Sequence, residues 1–141
     1  MDRNGNHRIL RLGVVGMGLG TALMLPAVVA HPRFAVAGAY SRRPHVRSDF
    51  QRTFETPVFD SIESLCDSPS IDAVYIATPL FLHKDQALIA LERGKHVIVE
   101  KPLGMSLADC DELRDAAQAS GAMLVCGETH AFIPTYAKMR E

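Results

Sequence analysis

Short apolar runs alternate along this chain with longer stretches whose apolar residues recur at helical spacing, and glycine, proline or a small hydroxyl residue marks each change of period. Residues 9–15 are apolar with β-branched members and stop at Gly16-Met17-Gly18-Leu19-Gly20-Thr21, after which residues 19–30 read as a helix. Pro26 falls inside that helix, where it removes a hydrogen bond at about 3 kcal/mol, so a kink or a restart is expected. Phe34–Tyr40 (FAVAGAY) predicts a second buried strand, Pro44–Phe54 a helix opened by proline, and residues 57–59 a short strand. Asp60 and Glu63 have capping-box spacing before Ile62 and Leu65, predicting a turn or two of helix that Ser68-Pro69 ends. Residues 71–77 predict a strand, 83–93 a helix stopped by Gly94, and 96–99 another strand. Ser106 and Asp109 cap a helix that places Leu107, Cys110, Leu113 and Ala117 on one face and ends at Gly121. Residues 123–126 predict the last strand, and residues 134–140 start one more helix.

Six strands alternating with helices predict an α/β fold: a doubly wound parallel sheet covered on both faces, the Rossmann dinucleotide-binding arrangement. Ligands of such sheets bind beyond the carboxyl ends of the strands, where the strand order reverses. The segments 16–20, 41–43, 78–79 and 100–102 each follow a predicted strand and are therefore expected along one edge.

Composition narrows the partners. The chain has 141 residues, 48% of them hydrophobic, with 15 Lys and Arg against 16 Asp and Glu and a net charge of -1. That balance lacks the basic excess that holds nucleic acid or an anionic membrane, so neither is expected as a partner. Cys66, Cys110 and Cys126 are widely spaced with no C-x-x-C pair, which predicts reduced thiols in a cytoplasmic protein and no metal site. Residues 12–30 carry no charge, follow Arg3, Arg8 and Arg11, and are long enough for a secretory or membrane segment. Gly13, Gly16, Gly18, Gly20 and Pro26 suit a continuous apolar helix poorly and suit a strand, tight turn and helix well. The first eight residues read as loose.

A pyrophosphate needs backbone N–H groups at a helix start, and residues without a Cβ let the backbone come close to it. The loop Gly16, Met17, Gly18, Leu19, Gly20 offers this, although the fingerprint's third small position falls on Thr21 with Gly20 one place early. About 20 residues past the loop such folds place an acid on the adenosine ribose. Here the second strand runs into Ser41-Arg42-Arg43, a hydroxyl and two guanidinium groups suited to a 2′-phosphate. NADP(H) is therefore favoured over NAD(H), which the same loop also accommodates. Arg42, Arg43 and Arg47 have an alternative reading as solvated charges at a helix start.

The order and spacing of Gly16-Met17-Gly18, Ser41-Arg42-Arg43, Ala77-Thr78-Pro79 with His83, Gly94-Lys95-His96 and Glu100-Lys101-Pro102 resemble the amino-terminal domain of the glucose-fructose oxidoreductase, inositol dehydrogenase and rhizopine-catabolism (Gfo/Idh/MocA) family. Residues 10–26 are also similar to its dihydrodiol phthalate dehydrogenase branch. The resemblance implies an NAD(P)-dependent oxidoreductase acting on a sugar, a cyclitol or a related alcohol or carbonyl compound. It implies Lys101 as the catalytic residue, also touching cofactor. Glu100 beside it reads as an orienting partner for Lys101, a contact on the nicotinamide side of the cofactor, or a structural salt bridge. Thr78, Pro79 and His83 match the family pattern around the nicotinamide, whereas Leu80 stands where asparagine is common. His83 also has a structural reading, and Lys101-Pro102 is a candidate cis bond. Family members continue into a second α/β domain that supplies most substrate contacts and often the oligomer interface. The chain is thus expected to be the nucleotide-binding part of a homo-oligomeric enzyme, binding cofactor without appreciable turnover alone. The alternative is a non-catalytic dinucleotide-sensing or interaction module.

Overall fold

The computed structural model describes residues 8–128 and 138–139. The helix expected over residues 134–140 lies outside them, apart from Lys138 and Met139. Six strands, β1 (Leu10–Val15), β2 (Phe34–Tyr40), β3 (Val58–Phe59), β4 (Ala73–Ile76), β5 (His96–Glu100) and β6 (Leu124–Gly127), form one sheet in the order β3-β2-β1-β4-β5-β6. Every neighbouring pair is parallel. The order reverses between β1 and β4, as expected of a doubly wound sheet. Five helices connect the strands: α1 (Leu19–Ala30), α2 (Pro44–Phe54), α3 (Ile62–Asp67), α4 (His83–Glu92) and α5 (Leu107–Ser120), with a 3-10 turn at Leu80–Leu82 leading into α4.

The central strands are apolar on both faces because both are covered. Leu12 and Val14 of β1 and Ala73 and Tyr75 of β4 join Leu25, Val28 and Phe50 in the layer under α1 and α2. Val15, Val74, Ile76, Val97 and Val99 join Leu65, Ala87, Leu91 and Leu113 in the layer under α3, α4 and α5. Gly13 permits that second layer, since a Cβ there would lie 2.7 Å from the Leu65 side chain. Among the described residues no helix is long and apolar enough to cross a membrane.

Several local expectations are corrected. The capping box of α3 is Ser61 with Ser64: the Ser61 hydroxyl accepts from the Ser64 N–H at 3.0 Å and the Ser64 hydroxyl accepts from the Ser61 N–H at 3.2 Å. Asp60 lies one residue too early and instead pairs with Arg47 at 3.2 Å. α1 runs through Pro26 without a restart. Leu107 opens α5 largely exposed, whereas Leu113 and Ala117 farther along are buried. Strand β4 is shorter than expected and β6 lies one residue later. Gly94 and Gly121 end their helices with positive φ, as their positions predict.

Candidate active site

The four segments expected on one edge come together there. Gly16 follows β1 with φ +87°, and a Cβ on it would lie 2.6 Å from the Ala77 carbonyl oxygen, so the β1 and β4 ends approach too closely for any side chain. Thr21, at the fingerprint's third small position, is buried and donates its hydroxyl to the Gly16 carbonyl at 2.6 Å. It closes the turn with a hydrogen bond where a third glycine would close it by contact, a role the loop pattern alone does not reveal. Gly18 caps α1 with no side-chain hydrogen bond, and a Cβ on it would meet nothing within 4 Å. Neither its backbone angle, φ -102°, nor its protein neighbours demand a glycine there.

Two clefts meet at Ala77 and Thr78. The first, about 300 Å³, is lined by Gly16, Met17 and Gly18, by Tyr40 to Arg43, and by Thr78, Pro79, Leu82 and Gln86. The Ser41 side is fixed from behind: Arg47 donates to the Ser41 carbonyl at 2.6 Å while pairing with Asp60. Arg42 and Arg43 are exposed, and among the described residues no side chain pairs with either guanidinium. The structure thus separates three arginines that the sequence presents together. The second cleft, about 540 Å³, is lined by Leu19, Gly20, Leu23, Met24, Ala77, Thr78, Leu80, His83, Glu100 and Lys101. A larger cleft, about 850 Å³, opens at the other ends of the strands, where Arg8 and Arg11 converge on Asp72, and contains none of the expected site residues.

Glu100 and Lys101, adjacent in sequence, have different surroundings. Buried Tyr75 donates its hydroxyl to Glu100 Oε1 at 2.6 Å, and the Lys101 backbone N–H donates to Oε2 at 3.3 Å. Burial first, and then the bond to Glu100, push the Tyr75 hydroxyl above its usual range, so it stays a donor. The Lys101 side chain is exposed, and the Lys101-Pro102 bond is cis. Thr78 donates its hydroxyl to Gln86 of α4 at 2.6 Å. His83 is 2% exposed, with Nε2 2.9 Å from the Thr78 carbonyl oxygen and Nδ1 2.9 Å from that of Pro102. Tyr75, Thr21, Gln86 and Arg47 were not among the expected site residues. Tyr75 left one signal, a hydroxyl in the otherwise apolar strand AVYI.

The chain is 38% identical over 133 residues to 1-carboxy-3-chloro-3,4-dihydroxycyclohexa-1,5-diene dehydrogenase of Comamonas testosteroni, covering 94% of this chain and 34% of that protein. It is 28% identical to scyllo-inositol 2-dehydrogenase (NADP(+)) IolU of Bacillus subtilis (strain 168), covering 94% and 41%. The crystal structure of KijD10, a 3-ketoreductase from Actinomadura kijaniata in complex with NADP, superposes with a TM-score of 0.87 at 28% identity, covering 94% of this chain and 42% of that one. The chain therefore spans between a third and about two fifths of these relatives. Residues 10–128 match the oxidoreductase family with an NAD-binding Rossmann fold, GFO_IDH_MocA, and with the loop, sheet order and edge described above, the chain belongs to that family as its nucleotide-binding Rossmann part.

Proposed function

We propose that this chain is the cofactor-binding part of an NADP(H)-preferring oxidoreductase acting on a cyclic alcohol or its ketone, with Lys101 handling the proton. The observation that carries the reading is the pair of joined clefts, with exposed Arg42 and Arg43 and the start of α1 at Gly18 in the first, where a Cβ would meet nothing within 4 Å, and Lys101 in the second. Such a donor set fits a dinucleotide phosphate. The guanidinium groups and Ser41 suit a 2′-phosphate, and the start of α1 suits the pyrophosphate. A bound nicotinamide supplies the site for hydride transfer. Lys101 holds the substrate oxygen through its ammonium group, polarising a carbonyl and giving a proton to the oxygen as hydride arrives at carbon; in the reverse direction it is the neutral amine that takes the alcohol's proton as hydride leaves. Glu100 is engaged by Tyr75 and the Lys101 N–H, and among the described residues no carboxylate forms an ion pair with Lys101, which lines the second cleft.

The wall beside Lys101 also supports a substrate class. Leu19, Leu23, Met24 and Leu80 make it apolar, with Leu19 and Leu23 largely exposed. Such a wall suits a ring bearing few hydroxyls, of the kind in the name of the Comamonas relative, better than a fully hydroxylated cyclitol. Calorimetry of NADPH and NADH binding to wild type and Arg42→Ala tests the cofactor reading. NADPH is expected to bind at least tenfold tighter than NADH in wild type, with the gap shrinking in the variant. Equal wild-type affinities would overturn the 2′-phosphate assignment. For catalysis, the test joins this chain to the remaining length its relatives carry, where turnover should be lost in Lys101→Ala.

A further inference from the structure

Thr78 lines both clefts and Pro79 the first, and the Lys101-Pro102 segment carries the proposed proton-handling residue. Among the described residues, one side chain joins them by hydrogen bonds. His83, the first residue of α4, offers Nε2 to the Thr78 carbonyl and Nδ1 to the Pro102 carbonyl, both at 2.9 Å. Both oxygens are acceptors only. Whichever nitrogen carries the proton, at least one contact is a donated N–H bond, and the doubly protonated ring donates both. The ring is rigid and 2% exposed, so water cannot readily replace either bond. Its backbone is fixed on α4, whose Gln86, one turn on, takes the Thr78 hydroxyl at 2.6 Å. The Thr78 segment is thereby held to α4 at its carbonyl and at its side chain, and the Pro102 segment is tied to the same ring.

We infer that His83 is a positioning residue: a strut between the segment that grips the cofactor and the segment that presents Lys101, so that the two are placed together. The inference rests on the dinucleotide reading of the site but can be tested apart from it. The two ring nitrogens also have separable mimics, since a glutamine amide nitrogen reaches the Nε2 position and an asparagine amide nitrogen the Nδ1 position.

The experiment measures backbone hydrogen exchange and NADPH binding in wild type, His83→Ala, His83→Gln and His83→Asn, with Leu113→Ala as a control for general destabilisation in the core under α5. In the free chain, His83→Ala is expected to speed exchange about tenfold at the amides of Thr78, Lys101 and Leu103. His83→Gln should restore protection at Thr78 and His83→Asn at Lys101 and Leu103. Leu113→Ala should lower the melting temperature without this local pattern. NADPH affinity should fall about tenfold in His83→Ala and recover in His83→Gln more than in His83→Asn. Unchanged exchange at both segments in His83→Ala, or equal effects of the Gln and Asn variants on both, would overturn the strut. Wild type that binds neither NADPH nor NADH would overturn the cofactor reading and leave the exchange result to decide the strut. Wild-type binding with unchanged affinity in His83→Ala would overturn the link between strut and cofactor grip.

Discussion

Gly16 and Gly18 belong to one loop, yet the structure assigns their lack of a side chain to different causes, and alanine substitutions should separate them. At Gly16 the backbone sits at φ +87°, and an added Cβ would lie 2.6 Å from the Ala77 carbonyl oxygen and 2.9 Å from its carbon. The left-handed conformation costs an L-residue roughly 1–2 kcal/mol. Overpacking against a central strand adds typically about 1–3 kcal/mol, because backbone rather than a flexible side-chain end must move. Gly16→Ala should therefore lose about 2–5 kcal/mol, a large share of the roughly 5–15 kcal/mol that holds a domain folded. At about 3 °C per kcal/mol for a chain of this size, the melting temperature should fall by roughly 6–15 °C.

Gly18 is the opposite case. Its φ of -102° is open to alanine, and a Cβ would touch no protein atom within 4 Å. Replacing glycine by alanine at a helix N-cap costs roughly 0.5–1 kcal/mol, and the reduced freedom of the unfolded chain returns about as much. Gly18→Ala should melt within about 2 °C of wild type, since a net change under about 0.5 kcal/mol moves the midpoint little. If the loop receives a pyrophosphate, the methyl group occupies the path of approach, and NADPH affinity should drop at least tenfold, about 1.4 kcal/mol. Differential scanning fluorimetry and calorimetry on the two variants supply both numbers. Wild-type NADPH affinity in Gly18→Ala would refute the idea that a ligand, rather than the fold, requires that glycine. A wild-type melting temperature in Gly16→Ala would refute the contact argument.

Two further predictions concern groups away from the loop. The hydrogen bond from Arg11, and then its backbone N–H, hold the Asp72 carboxyl well below the usual carboxylate range against an opposing effect of burial. A carboxyl so depressed in the folded state stabilises above its unfolded pKa of about 3.9 and loses that contribution as pH falls through its folded value. Asp72→Asn should lower stability by about 1–2 kcal/mol at pH 7, with exposed Arg8 adding little, and should flatten the acid limb of a urea-midpoint profile; an unchanged acid limb refutes the assignment. Burial pushes the Cys66 thiol up to about 11 against the opposing charges of Arg93 and Lys95. Iodoacetamide at pH 8 should therefore label Cys66 last of the three cysteines, as read by peptide mass spectrometry, and early labelling would contradict that burial.

Most of the fold was legible because its signals are local. Gly94 and Gly121 stop helices for the reason their positions suggest, and the strands are bounded by the residues that end their apolar runs. The errors arose where two local rules competed. Asp60 and Glu63 satisfy a capping pattern on residue type, but the hydroxyl pair one residue later meets the helix N–H groups, leaving Asp60 for Arg47. Pro26 was expected to kink or restart α1, and a single helix without a restart spans it. At the candidate site, the segments were legible from their places after strands, whereas their internal wiring was not. Nothing local distinguishes Arg47, turned back onto the Ser41 carbonyl, from Arg42 and Arg43. Nor does sequence show that His83, matched to a ligand-facing pattern, has both ring nitrogens occupied by carbonyls.

The different surroundings of Glu100 and Lys101 follow from the pleat of β5. Side chains of a strand alternate between faces, so Val97 and Val99 enter the layer under α4 and α5 while Ile98 packs into the layer under α1 and α2. Glu100 follows Ile98 by two residues and so falls on the same side as Tyr75, whose hydroxyl it meets at 2.6 Å. Without that donor the carboxylate would lose one of its two charge-assisted partners and would have every electrostatic reason to take the neighbouring ammonium. Tyr75→Phe is therefore expected to leave the buried ring's packing intact, costing about 1 kcal/mol in stability, while drawing Lys101 into an ion pair. Acylation of Lys101 by a small activated ester, followed by mass spectrometry, should slow severalfold relative to Lys138, which serves as internal reference. Wild-type Lys101 reactivity in Tyr75→Phe would mean that Tyr75 does not keep Glu100 from its neighbour, and the free ammonium at the site would need another cause.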